Sequence, residues 1–319
     1  MRAFGHHWPR AIARSIVVVC LLLGTHVGTV EASEGASSHY LPGLAGDILI
    51  AQPPQPGWLV ANNVFMQFGK AGTAVLQGQV ELDLKLDLVL DIPAATYTFK
   101  KPFLGGTYTV GLAIPFGHAK LDATLTGPAG GMFAVSDDSF HLSDVAITPL
   151  QLNWTSGKFS FKLAESIIAP TGGYDIDKAV NLGRNYWSFD TVGAVTWFNP
   201  ASGTAMSLAT GIMVNTMNKA TDYKTGTEFH LDFTINHFVS ETVAIGIRGY
   251  YYKQLSGDSG DGAVLGPFKS EAFAIGPGIF WTPKSAGGRL VIAAKYMGDI
   301  TATKRFKSHY GQFTLAWKL

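Results

Sequence analysis

The chain has 319 residues, with 24 basic and 23 acidic side chains and a formal net charge of +1. Charged residues make up only 15%, while 47% are hydrophobic and 12% aromatic; an ordinary soluble domain is about 25% charged. The balanced charge excludes the basic face that nucleic acid demands. Beyond the N-terminus no apolar run approaches the roughly 18 residues of a membrane-crossing helix. Two classes remain: a large soluble β protein, or a transmembrane β-barrel, whose strands alternate lipid-facing and lumen-facing residues.

The N-terminus sets the compartment. Arg10 and Arg14 form a basic region, residues 16–23 an apolar one, and Val30-Glu31-Ala32 a small-x-small cleavage site, with the cut before Ser33. This pattern reads as a secretory signal peptide over residues 1–32. Cys20 is the sole cysteine and would leave with it, so the exported chain has no disulfide framework. Residues 33–57 follow as a Pro- and Gly-rich periplasmic segment. It either enters the barrel as a hatch or trails as a flexible lead-in.

From residue 58 to residue 319, period-two alternation dominates. The spacing predicts strands at 58–69, 75–100, 105–127, 139–155, 157–170, 184–198, 204–215, 226–237, 242–254, 268–281, 289–304 and 307–318. In the second, Val80, Leu82, Leu84, Leu86, Leu88 and Leu90 share one face, with Glu81, Asp83, Lys85 and Asp87 on the other. Successive side chains of a strand point to opposite faces, so the leucines are expected to face lipid and the charges the lumen. The same logic puts Lys162, Glu228, His230, Asp232, Arg248 and Lys295 on the lumen side of later strands. The alternation slips phase at Gly117 and Pro149, which suggests bulges.

Connection lengths choose between the two classes. Tight turns (155–157, 199–203, 238–241, 283–288) alternate with long polar loops (128–139, 171–186, 216–225, 255–267). Short turns on one rim and long loops on the other are the outer-membrane pattern; a sandwich has no reason to sort loops by parity. The final strand carries Phe313, Leu315, Trp317 and Leu319 on one face and ends the sequence. Aromatics near strand ends (Trp58, Tyr97, Phe99, Trp154, Tyr186, Trp187, Trp197, Phe198, Tyr250, Tyr251, Tyr252, Trp281) suit interfacial girdles. The expected fold is all-β, an up-and-down antiparallel barrel of about twelve strands.

Two ordered motifs bracket the barrel. The first is Ser38-His39-Tyr40-Leu41-Pro42-Gly43. The second runs from Tyr252-Lys253-Gln254 through Gly257-Asp258 to Ile275-Gly276-Pro277-Gly278. Together they resemble the MetA-pathway-of-phenol-degradation family of outer-membrane proteins. The resemblance implies transport linked to degradation of aromatic compounds. It implies no agreed substrate and no catalytic residues.

A search for chemistry returns little. Ser308 and His309 are adjacent on an alternating strand, so they point apart. His230 is in reach of Ser207 or Asn215 across neighbouring strands, where a lumen hydrogen bond is the expected role. Residues 257–262 look superficially like a calcium loop but lack its ligand spacing and terminal glutamate. Thr171-Gly172-Gly173 precedes no helix on which a phosphate would dock. No metal, cofactor or enzymatic activity is expected. The partners expected are outer-membrane lipid, the outer-membrane assembly machinery and a small hydrophobic or aromatic solute, with the barrel a monomer. The rival reading is a structural or interaction barrel whose charges fill its own lumen.

Overall fold

A computed structural model describes residues 38–76, 79–126, 132–264 and 266–319, without the side chains of 73–82 and 125–133. The proposed signal peptide lies outside the described residues. The β-segments are β1 (Gly57–Leu76), β2 (Gln79–Thr98), β3 (Thr107–Ala113), β4 (Phe116–Thr126), β5 (Met132–Leu142), β6 (Val145–Ser156) and β7 (Phe159–Ala169). They continue with β8 (Ser188–Asn199), β9 (Thr204–Asn215), β10 (Glu228–Phe238), β11 (Val243–Gln254), β12 (Glu271–Trp281), β13 (Leu290–Thr303) and β14 (Lys307–Lys318).

All pairings are antiparallel, and β1 pairs with both β2 and β14, so the sheet closes. Closure leaves no edge strand for the bilayer to expose. The wall nonetheless has twelve strands, because two are broken. Residues 94–98 of β2 pair with β3 and residues 81–91 with β4. Thus β3 and β4 are halves of one strand, interrupted at Ile114-Pro115. Proline lacks the N–H a ladder needs. Likewise β6 pairs with β3 and β5 with β4, separated by Ser143-Asp144. The breaks lie side by side, bridged by Ser143 N–H to Pro115 O at 2.8 Å. Pro149 sits in a register shift between Ile147 and Leu150, the expected bulge. At Gly117 the structure has close approach instead: a Cβ there would lie 2.0 Å from Val89 O.

The sequence expected a long loop over 128–139. The structure instead continues β5 down to Met132, so this hairpin, like β1–β2, is built of strands that outrun the bilayer. Each of β1 and β2 has 20 residues, against the 9–11 that cross a membrane. Short connections join the strands on the rim holding Gly57 and Lys318; the long ones, 170–187, 216–227 and 255–270, lie on the other. The outer face of β7 to β14 is apolar: Phe161, Leu163, Leu208, Ile212, Ile235, Ile247, Phe313 and Leu315 are exposed. Trp58, Trp187 and Trp281 are also exposed near strand ends. Tyr186, Tyr250 and Tyr252 do not join that belt; they are buried inside. For Tyr250 and Tyr252 the reason is the period-two repeat, which puts them on the face of Arg248.

Candidate functional site

The lumen is occupied by the chain's own residues 38–51. Tyr40, Ile48, Ile50 and Ala51 are buried, and the segment's backbone is tied to the wall. Gly43 N–H donates to Asp232 Oδ1 at 2.8 Å, and Lys295 Nζ donates to Gly43 O at 2.5 Å and to Asp47 Oδ1 at 2.8 Å. Gln312 Nε2 donates to Pro42 O at 2.5 Å, Asn153 Nδ2 to Ala51 O at 3.0 Å, and Ala51 N–H to Thr196 Oγ1 at 3.0 Å. A segment with no strand partner must find its hydrogen bonds elsewhere. Here they come from polar side chains on the inner face of β6, β8, β10, β13 and β14, and of β9, whose Ser207 Oγ accepts from Ile50 N–H at 3.4 Å. Gly43 has φ +82°, and a Cβ there would sit 2.7 Å from Met297, so the residue suits both the turn and the close approach.

His39 docks the start of this segment. Its Nδ1 lies 2.6 Å from Ser188 Oγ and its Nε2 2.8 Å from Asp144 Oδ2. Burial pulls the imidazole below its usual range, against the raising pull of Asp144. Serine, imidazole and carboxylate in line resemble a hydrolytic triad. Yet Ser188 is fully buried and its Oγ is also 2.5 Å from Asn215 Oδ1. It is not among the residues lining the cavity described below. A nucleophile needs room for substrate; this arrangement is a latch between segment and wall. His39→Ala removes one hydrogen bond from each of two buried groups, Asp144 and Ser188, at about 0.5–1.5 kcal/mol apiece. The expected result is an N-terminal segment cut by protease in folded protein, where the unsubstituted protein resists; equal resistance refutes the latch.

Above the segment lies a cavity of about 480 Å³, within the usual range for ligand pockets, roughly 300–1,000 Å³. One wall is apolar, with Leu86, Leu88, Leu90 and Ile92 from β2, Leu121 from β4 and Ile168 from β7. Val180 and Leu182 of the 170–187 loop extend it. The opposite wall is polar, with Lys162, Asp190, His230, Asp232 and Arg305.

The charges expected in the lumen divide accordingly. Lys162 lines the cavity; Glu228, His230, Asp232, Arg248 and Lys295 are all buried inside the barrel. His230 does not meet Ser207 or Asn215. Its Nε2 pairs with Asp190 at 2.9 Å, its Nδ1 lies 3.9 Å from Asp232, and its ring stacks on Tyr40 at 4.3 Å. Asn215 instead donates to Glu228 at 2.9 Å, and Ser207 donates to Ile48 O at 3.0 Å.

The β2 assignment is reversed. Leu84, Leu86 and Leu90 are buried inside, while Asp83, Lys85 and Asp87 point outward. Glu81 is placed in β2 opposite Ala74 by its backbone alone. The reason is height. On this rim β2, β4 and β5 carry an outward ladder of Lys85–Asp87, Lys120–Asp122 and His118–Asp138 pairs at 3.0, 3.5 and 3.3 Å. Such a surface belongs in water, not lipid, so above the bilayer the wall follows the soluble rule, oily side in. Asp83 also has φ +50° at a register shift between Leu82 and Lys85, a conformation Asp tolerates.

The remaining motif residues serve the frame. Gln254 and Asp258 hydrogen-bond each other, and Asp258 also accepts from Tyr223 at 2.5 Å and from Gly226 N–H at 3.0 Å. This ties the 216–227 loop to the 255–270 loop. Gly257 packs on Pro267, and a Cβ at Gly276 would lie 2.0 Å from Tyr296 O. Pro277 faces Ile247 across the β11–β12 ladder. The signal that marks the docking segment was present in the sequence as His39-Tyr40 and Pro42-Gly43; Asp144 and Ser188, its partners, carry no local signature.

A solved structure agrees with this architecture. The structure of the COG4313 outer membrane channel from Pseudomonas putida F1 superposes with a TM-score of 0.65 at 16% identity, over 84% of this chain and 97% of that one. The β-domain of the Bordetella autotransporter BrkA superposes at a TM-score of 0.47 and 11% identity, over 83% of this chain and all of that one. A comparison with curated proteins finds no match. The first of these likenesses shows the fold, that of an outer-membrane barrel. The family model described as "Putative MetA-pathway of phenol degradation" matches residues 67–315, most of the barrel, and the chain therefore belongs to that family.

Proposed function

We propose that this barrel passes small hydrophobic or aromatic molecules across the outer membrane of a Gram-negative cell, in connection with aromatic degradation. The supporting observation is the cavity wall of Leu86, Leu88, Leu90, Ile92, Leu121 and Ile168, reached from the long-loop side. A channel for sugars or ions has no use for it. The family's association with phenol degradation and the channel named in the Pseudomonas structure point the same way. In this reading residues 1–32 direct export, residues 33–57 are the hatch, and 58–319 form a monomeric barrel inserted by the outer-membrane assembly machinery. It is a conduit, not an enzyme. Lys162, Glu228, His230, Asp232, Arg248 and Lys295 hold the hatch or flank the solute's path.

The fluorescent aromatic N-phenyl-1-naphthylamine tests this, because an intact outer leaflet excludes it. Gram-negative cells producing the protein are expected to take it up several-fold faster than cells with empty vector. Leu90→Asp with Leu121→Asp, which wets the apolar wall, should remove most of the gain. Uptake equal to the vector from correctly inserted protein refutes the channel and favours a barrel filled by its own charges.

A further inference from the structure

We infer that the cavity is built for amphipathic anions, a carboxylate on an apolar aryl or alkyl body, with Lys162 as the headgroup residue. The inference rests on the proposed transport reading and narrows its solute class. Its basis is an imbalance between donors and acceptors in the polar wall.

Most of the cavity's carboxylate oxygens are already supplied with donors. Asp144 accepts from the N–H groups of Gly172 at 2.8 Å and Arg184 at 2.7 Å, with His39 Nε2 at 2.8 Å. Asp190 lies 2.9 Å from His230 Nε2. Asp232 accepts from Gly43 N–H through Oδ1, while its Oδ2, 3.9 Å from His230 Nδ1, has no hydrogen-bond partner. Two cations of the wall, Lys162 and Arg305, are short of acceptors. Among the described residues Lys162 takes part in none of the ion pairs of the lumen, which are His39–Asp144, His230 with Asp190 and Asp232, and Lys295–Asp47. Arg305 is 4% exposed, and its Nε and Nη1 have no hydrogen-bond partner. Its guanidinium lies 4.0 Å over the ring of Tyr252.

Buried donors without acceptors are costly and rare. A carboxylate brings only acceptors and answers the open donors of Lys162 and Arg305; an ammonium would bring only donors, with Asp232 Oδ2 as the open acceptor to receive them. Position fits as well. Lys162 stands on β7 opposite Ala194 of β8, which in turn faces Ala209 of β9. Those small side chains leave the lysine room over the hatch residues Ile50 and Ala51, which pack on the same alanines. Arg305 comes from the β13–β14 connection on the long-loop rim. An incoming anion therefore meets Arg305 near the mouth and Lys162 deeper in, with its apolar body along β2 and β4.

The test is calorimetric binding to the folded full barrel in a non-ionic detergent, against protein-free micelles. The probes are 4-propylbenzoate, 4-propylbenzyl alcohol and 4-propylbenzylamine, with octanoate and octanol as the alkyl arm. The carboxylate of at least one arm is expected to bind ten-fold or more tighter than its alcohol, with the amine weakest. Lys162→Met should reduce that ratio below three, and Lys162→Arg should preserve it, with heat-modifiable gel mobility confirming that both variants fold. Equal binding of acid and alcohol in both arms, a tighter amine, or a ratio unchanged in Lys162→Met overturns the anion assignment and leaves apolar transport standing. Failure of every probe to bind overturns both.

Discussion

Removing residues 44–52 should open the barrel: single-channel conductance in planar bilayers rises several-fold, while the barrel keeps its heat-modifiable mobility. The segment contributes no strand to the wall, whose closure rests on the β1–β2 and β1–β14 ladders, so its loss does not unzip the sheet. It does supply Asp47, Ile48, Ile50 and Ala51, which occupy the lumen beside Lys295, Ser207, Thr234 and Thr196. Those wall groups are polar, and water replaces the hatch as their partner at small cost. Of its apolar side chains, Ile50 and Ala51 meet the small side chains of Ala194 and Ala209, which limits the apolar packing the wall forfeits. Unchanged conductance from a folded deletion would mean that the path is closed elsewhere.

The barrel was legible because its signals repeat. From β7 to β14 the oily residues face lipid and the polar ones the lumen, and each strand boundary lies within four residues of the period-two pattern. What misled was the assumption that one rule holds along the full length of a strand. Leu84, Leu86, Leu88 and Leu90 alternate as cleanly as any lipid-facing run, yet alternation gives only the two faces, and the medium beyond decides which is which. The outward ion pairs that reveal water there join different strands, β4 with β5, or short-range partners on β2 and β4. The cross-strand pair His118–Asp138 is visible only in three dimensions. The breaks at Pro115 and Ser143-Asp144 hid for a different reason. Each leaves the alternation nearly intact, so 105–127 reads as one strand and the 132–138 stretch, rich in Ser and Asp, reads as loop. The latch was half legible. His39 and Tyr40 stood out as a motif, but Asp144 and Ser188 lie 105 and 149 residues away, joined only by closure of the barrel.

The corrected facing has its largest consequence in which substitutions the membrane tolerates. Ile247→Arg should abolish most heat-modifiable, folded barrel. Ile247 points outward on β11, 48% exposed, between Ile235 of β10 and Pro277 of β12. It lies midway between Val243, paired to Trp281 at one aromatic level, and Tyr251, paired to Phe273 at the other. An arginine at that depth costs about 2–4 kcal/mol, a large share of the roughly 5–15 kcal/mol that ordinarily separates folded from unfolded chains. Asp83→Asn, by contrast, changes a side chain that already stands in water and should leave the folded fraction unaltered. Cysteine labelling separates the two faces of β2 directly, since the chain's only cysteine is at position 20. With Asp83→Cys, a membrane-impermeant maleimide should react rapidly on intact cells; with Leu84→Cys, buried at 1% exposure, it should react at least ten-fold more slowly. Protection of position 83 together with reaction at 84 would return the leucines to the outer face and remove the apolar wall on which the proposed transport depends.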